Sequence, residues 1–123
     1  NFFLMRPPIV SGPVIHGQGL GRKLGFPTAN IKLRAKDIPP FGVYRVKVWL
    51  PQPRLAVCSV GRRPTITGSK GVHVEVHIPR FSGDLYGKTL TMSFLNKIRD
   101  EKKFSSLDEL LDAIREDIKT LRR

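Results

Sequence analysis

"GVYRVKVWL", residues 42–50, sorts its side chains by parity. Tyr44, Val46, Val48 and Leu50 fall on one face; Arg45, Lys47 and Trp49 fall on the other. A period of two is that of a strand with one face on a core. The same period recurs on the C-terminal side. In "VHVEVHI", Val72, Val74, Val76 and Ile78 alternate with His73, Glu75 and His77. In "KTLTMSFL", Leu90, Met92 and Phe94 alternate with Thr89, Thr91 and Ser93. Between them "RLAVCSVG", residues 54–61, is nearly all apolar, as a strand covered on both sides would be. On the N-terminal side "IVSGPVIHG" and "NIKL" are shorter strand candidates. Pro51 and Pro53 mark a hairpin-like break, and Pro39-Pro40 a longer connection.

The period changes near the end. Leu107, Leu110, Leu111, Ile114, Ile118 and Leu121 follow helical spacing on one face. Ser106 with Glu109 three residues on is a capping-box pattern, and Lys119, Arg122 and Arg123 complement the helix dipole. About six closely spaced strands followed by one helix predict a mainly β fold. The expected form is a small antiparallel barrel with a C-terminal α-helix packed against it.

A chain of 123 residues makes one domain and can bury a core without disulfides. Its single cysteine, Cys58, excludes an internal disulfide and a multi-cysteine zinc site. It lies in an apolar run and reads as an inert core thiol. No apolar run approaches the roughly 18 residues of a membrane span, and no signal peptide is visible. A cytoplasmic, reducing compartment is expected. The net charge of +12, from 22 Lys+Arg against 10 Asp+Glu, points to anionic partners.

The stretch "GQGLGRKLGFPTANI", Gly17 to Ile31, packs four glycines, two cations and a proline before a strand. Glycines let backbone N–H groups approach an anion, and Arg22 and Lys23 add charge. It is neither a Walker A loop nor G-x-G-x-x-G, because from Gly19 the final position is Leu24. The loop reads either as a structural turn region or as a phosphate cradle of another design. Thr28 and Asn30 are two apart, so on a strand they share a face. Their oxygens are hard ligands suited to Mg²⁺ that also holds phosphates. Ordinary turn hydrogen bonding is the competing reading. His73, Glu75 and His77 share a face as well. They could ligate a transition metal, Glu75 could be a general base beside a nucleotide, or the face could simply be solvated.

Taken together, "GRKLGFPTANI", "GVYRVKV", "VGRRPT", "VEVHIPRFSGDLYGK" and "FLNKIRDEKKFSSLDELL" resemble the riboflavin kinase family, in the family's order and over roughly Arg6 to Ile118. The resemblance implies a six-stranded antiparallel Greek-key barrel. It also implies transfer of the ATP γ-phosphoryl group to the ribityl 5′-hydroxyl of riboflavin, giving FMN and ADP, with Mg²⁺ or another divalent metal. By motif, Glu75 matches the base on the 5′-hydroxyl. Thr28 and Asn30 match contacts to the metal and the phosphates, and Gly17, Arg22 and Gly25 match the loop over the nucleotide. Ile78, Arg80 and Tyr86 fall near nucleotide contacts. Arg99, Lys102 and Phe104 match positions that hold the flavin. Ser59 departs from the Asn that bacterial members often show.

The expected organisation is a single riboflavin kinase domain over residues 1–123, with residues 1–8 reading as a linker remnant. "FFLMRPPIVSG" resembles the passage from an FMN adenylyltransferase domain in bifunctional enzymes. No H-x-G-H motif is present, so FAD synthesis is not expected from this chain; an FMN adenylyltransferase domain as a partner within a longer chain and a stand-alone kinase are the two readings. Small-molecule substrates are expected, without nucleic acid or membrane. A basic nucleic-acid-binding barrel is the first alternative, but aromatics are not interleaved with the basic residues as stacking platforms require. A small metallohydrolase using His73, Glu75 and His77 is the second. A non-catalytic flavin binder is the third, and it would need none of Glu75, Thr28 and Asn30.

Overall fold

The computed structural model describes residues 7–15, 28–62, 71–81 and 83–122. The alternating segments form strands β1 (Ile9–Ile15), β2 (Thr28–Ile31), β3 (Gly42–Trp49), β4 (Pro53–Arg62), β5 (Val72–His77) and β6 (Thr89–Arg99). Helix α1 (Leu107–Lys119) follows. The strands close into a barrel in the order β1-β2-β5-β4-β3-β6. Every neighbouring pair is antiparallel. β3, β4 and β5 are consecutive neighbours and β2 lies beside β5, which is a Greek key. The expected architecture is thus the observed one.

Strand parity fills the barrel. Val46 and Val48 of β3, Ala56 and Cys58 of β4, Val76 of β5 and Met92 of β6 are fully buried in one core cluster. A six-stranded barrel is narrow enough for side chains to occupy its interior completely. β4 lacks alternation for a specific reason. Val57 faces the outer side of the barrel yet is buried, and α1 lies against β4. Burying one such valine contributes about 1.5–3 kcal/mol. Gly12 of β1 is required by close approach: a Cβ there would collide with the Lys32 carbonyl oxygen.

β6 runs four residues beyond the segment that alternates. Its register against β3 shifts twice, between Val43 and Tyr44 and between Arg45 and Val46. At each shift β6 supplies one extra residue, Ile98 and Leu95, which is the signature of a β-bulge. Two bulges break the period of two, so the strand's end is invisible to alternation.

At α1, Ser106 caps the helix by accepting from the Glu109 N–H at 3.2 Å. The reciprocal arm of the capping box is displaced by one residue. The Glu109 carboxylate accepts from the Ser105 hydroxyl at 2.7 Å and from the Ser105 N–H at 3.4 Å. These bonds hold the Glu109 carboxyl below its usual range. The far end of α1 is tied to β6 by a bidentate ion pair. Arg99 donates from Nε and Nη2 to the two carboxylate oxygens of Asp117, at 2.9 and 2.8 Å.

Candidate active site

The register between strands decides which polar side chains meet. Glu75 of β5 lies directly opposite Asn30 of β2 on one flank and Ser59 of β4 on the other. Directly opposite residues have Cβ atoms roughly 4.5–5.5 Å apart. The next row places His77 between Thr28 and Val57. The intervening residues Ala29, Val76 and Cys58 belong to the barrel core. Thr28, Asn30, Ser59, Glu75 and His77 therefore share one patch on the outer wall. Asn30 is 9% exposed and His77 6%, so this patch is largely shielded although it faces away from the core.

The electrostatics follow from that shielding. Glu75 keeps 22% of its side chain exposed, and its Oε1 lies 3.7 Å from Nε2 of His77. Burial pushes the His77 imidazole below its ordinary range. The Glu75 charge opposes the shift and His73 adds to it. His77 is therefore neutral at pH 7. Behind the patch, burial pushes the Cys58 thiol up, and the Glu75 charge adds to the shift.

Among the described residues, no group of three His, Cys, Asp or Glu side chains is arranged to hold a metal. His73, Glu75 and His77 thus do not form the transition-metal site considered above. The hydroxyl of Thr28 and the amide oxygen of Asn30 are a hard-oxygen set on one face of β2, with the Glu75 carboxylate opposite Asn30. Such a set suits Mg²⁺, which keeps several waters and takes few protein ligands beside phosphate oxygens.

The other sequence-predicted residues that the structure describes fall into two groups. Ile78, Arg80 and Tyr86 lie on the connection from β5 to β6. The Ile78 side chain is buried in the barrel core. Arg80 has φ 57°, a left-handed conformation that non-glycine residues hold at a cost and that concentrates at functional sites. Asp84 accepts from the Tyr86 N–H at 2.9 Å and fixes a turn that leaves Tyr86 exposed. Arg99, Lys102 and Phe104 cluster at the end of β6, with both cations 5.9 Å from the Phe104 ring centre. Val43 pairs with both Ser59 and Arg99, so Arg99 ends the row that begins Asn30–Glu75–Ser59. Three strand spacings separate it from Glu75 along the sheet. A cavity of about 510 Å³ lined by Trp49, Leu50, Phe81, Asp84, Leu85 and Lys88 includes none of the predicted residues. Gly17, Arg22 and Gly25 lie outside the described residues.

Sequence reasoning missed Asp117 as the partner of Arg99. An acidic residue on the apolar face of a helix, between Ile114 and Ile118, was the available signal. It missed the burial of His77 too, since alternation gives a side chain's direction but not what shields it.

Fold and patch together define a closed Greek-key barrel bearing a shielded acid–amide–hydroxyl row on its wall. The riboflavin kinase (flavokinase) family profile matches residues 4–123, and the chain belongs to that family. It is 44% identical over 120 residues to the bifunctional riboflavin kinase/FMN adenylyltransferase of Pseudomonas fluorescens, covering 97% of this chain and 39% of that protein. The chain thus spans about two fifths of the length of the curated relatives it matches. The solved riboflavin kinase of Trypanosoma brucei superposes with a TM-score of 0.64 at 28% identity, covering 93% of this chain and 76% of that one. A Streptococcus pneumoniae chain described as a macrolide-efflux protein superposes with a TM-score of 0.85 at 38% identity, covering 96% of this chain and 39% of that one. Among the described residues, no helix is long and apolar enough to cross a membrane.

Proposed function

We propose that this chain is an ATP:riboflavin 5′-phosphotransferase, converting riboflavin and ATP to FMN and ADP. The observation that carries this is the cross-strand row Asn30–Glu75–Ser59, with Thr28 one position along β2. Phosphoryl transfer needs positioning, neutralisation of phosphate charge and a group to take the acceptor proton. Glu75 accepts the proton of the ribityl 5′-hydroxyl as that oxygen attacks the γ-phosphorus. Thr28 and Asn30 would hold Mg²⁺, which when bound offsets the charge of the phosphate oxygens. Arg22 would neutralise phosphate charge, and Gly17 and Gly25 would let the backbone close over the nucleotide. Ile78 through its main chain, with Arg80 and Tyr86, would bind the nucleotide. Lys102 and Phe104 would hold the flavin, Phe104 by offering a ring face. Arg99 keeps donors beyond its bond to Asp117, one of which bonds the Asp100 carbonyl at 3.2 Å.

Residues 1–123 would form one riboflavin kinase domain, working in the cytoplasm. An FMN adenylyltransferase domain in the same polypeptide would be its partner, as the names of the relatives suggest. The test is direct: incubate the chain with riboflavin, ATP and Mg²⁺ and resolve the flavins by chromatography. FMN and ADP form in equal amounts if the proposal holds; riboflavin bound but unconverted refutes it. Glu75→Gln lowers kcat by about 10²–10⁴-fold and leaves nucleotide binding intact. Unchanged turnover in that variant removes Glu75 from the mechanism.

A further inference from the structure

His77 is the one buried titratable group in the patch to which this mechanism gives no task. It faces the outer wall, where an apolar ring of similar shape would pack at less cost. Its Nδ1 is buried without a hydrogen-bond partner. Leaving a buried polar atom unsatisfied costs about 1–3 kcal/mol, so packing alone does not account for an imidazole here. The other nitrogen, Nε2, points to the Glu75 carboxylate at 3.7 Å. A movement of about 0.8 Å would bring the pair to hydrogen-bond length. Glu75 is partly exposed and able to turn; His77 is locked in by burial.

We propose that His77 is a positioning residue for Glu75: its Nε2–H donates to Oε1 and holds the carboxylate so that Oε2 faces the acceptor hydroxyl. The proposal rests on the reading of Glu75 as the base. The choice of residue is physically sensible. A lysine or arginine at 77 would also fix the carboxylate, but its positive charge would make Glu75 a poorer proton acceptor. A neutral imidazole orients the carboxylate with a smaller loss of basicity.

The experiment is a double-mutant cycle on kcat, with KM for both substrates and thermal stability recorded for each variant. His77→Phe keeps the ring and removes the donor; His77→Gln restores an N–H close to the Nε2 position. His77→Phe is expected to lower kcat by about 10–100-fold, with both KM values within twofold, as loss of orientation at the reacting centre does. His77→Gln recovers most of that loss. In the Glu75→Gln background, His77→Phe has no further effect on kcat. Losses that multiply in the double variant, or a failure of His77→Gln to rescue when its stability matches wild type, overturn the positioning role while leaving Glu75 as the base. Full turnover of Glu75→Gln alone overturns the base reading, and the positioning role with it.

Discussion

Arg99→Gln tests how the C-terminal helix is held to the barrel. The variant keeps most of the side-chain length and removes the charge. It leaves Asp117, whose side chain is only 6% exposed, without the two charge-assisted bonds it receives. Stranding one member of a buried ion pair costs about 3–5 kcal/mol. Arg99 itself is 28% exposed, so part of the pair is already screened by water. About 3 kcal/mol is the appropriate figure. For a 123-residue chain, unfolding entropy near 60 °C is about 0.26 kcal/mol/K, so this loss lowers Tm by about 12 °C. Asp117→Asn should cost less, about 2 kcal/mol, because the orphaned partner is then the one that reaches solvent. The double variant should lose less than the sum of the two. Calorimetry or thermal circular dichroism reads all three. A Tm for Arg99→Gln within about 3 °C of wild type, or strictly additive losses, would refute the claim that this pair anchors α1.

Asn30→Ala should raise the Mg²⁺ concentration needed for half-maximal turnover; a superimposable Mg²⁺ titration argues against metal contact at Asn30. Gly12→Ala forces a methyl group against the Lys32 carbonyl and should destabilise the barrel by about 1–3 kcal/mol, measured by urea unfolding; a neutral change would show that β1 and the end of β2 are less closely apposed than described. Cys58, fully buried with its thiol titrating far above neutrality, should resist iodoacetamide at pH 8 in the native state and react on denaturation; rapid native labelling would contradict its place in the core.

Local patterning carried much of this fold in plain view. Alternation marks β3 and β5 because each has one face on the core, and helical spacing marks α1. The apolar run of β4 foretells burial on both of its faces, Val57 on the outer side and Ala56, Cys58 and Val60 in the core. The site was legible only in pieces. Thr28 and Asn30 share a face by parity, and the family resemblance singles out Glu75. Nothing local says that β2 pairs with β5 in the register that sets Asn30 against Glu75, because that pairing joins segments 45 residues apart. The same holds for Arg99 and Asp117, which meet only after the chain has turned through the 100–106 segment. The bulges at Leu95 and Ile98 are invisible for another reason: an inserted residue erases the periodicity by which strands are read.

The barrel closes where Ile9 of β1 meets Ser93 of β6. During synthesis at about 5–20 residues per second, β1 waits roughly 4–17 s for the strand that seals it. Throughout that interval it is an unsealed edge, hydrogen-bonding groups outward, beside other nascent chains. Its composition suits the wait: Pro13 removes one backbone donor, and Gly12 and Ser11 lower its tendency to extend a neighbour's sheet. Folding dominated by so distant a contact belongs to the millisecond-to-second regime of β-barrels rather than to the microseconds of helical bundles.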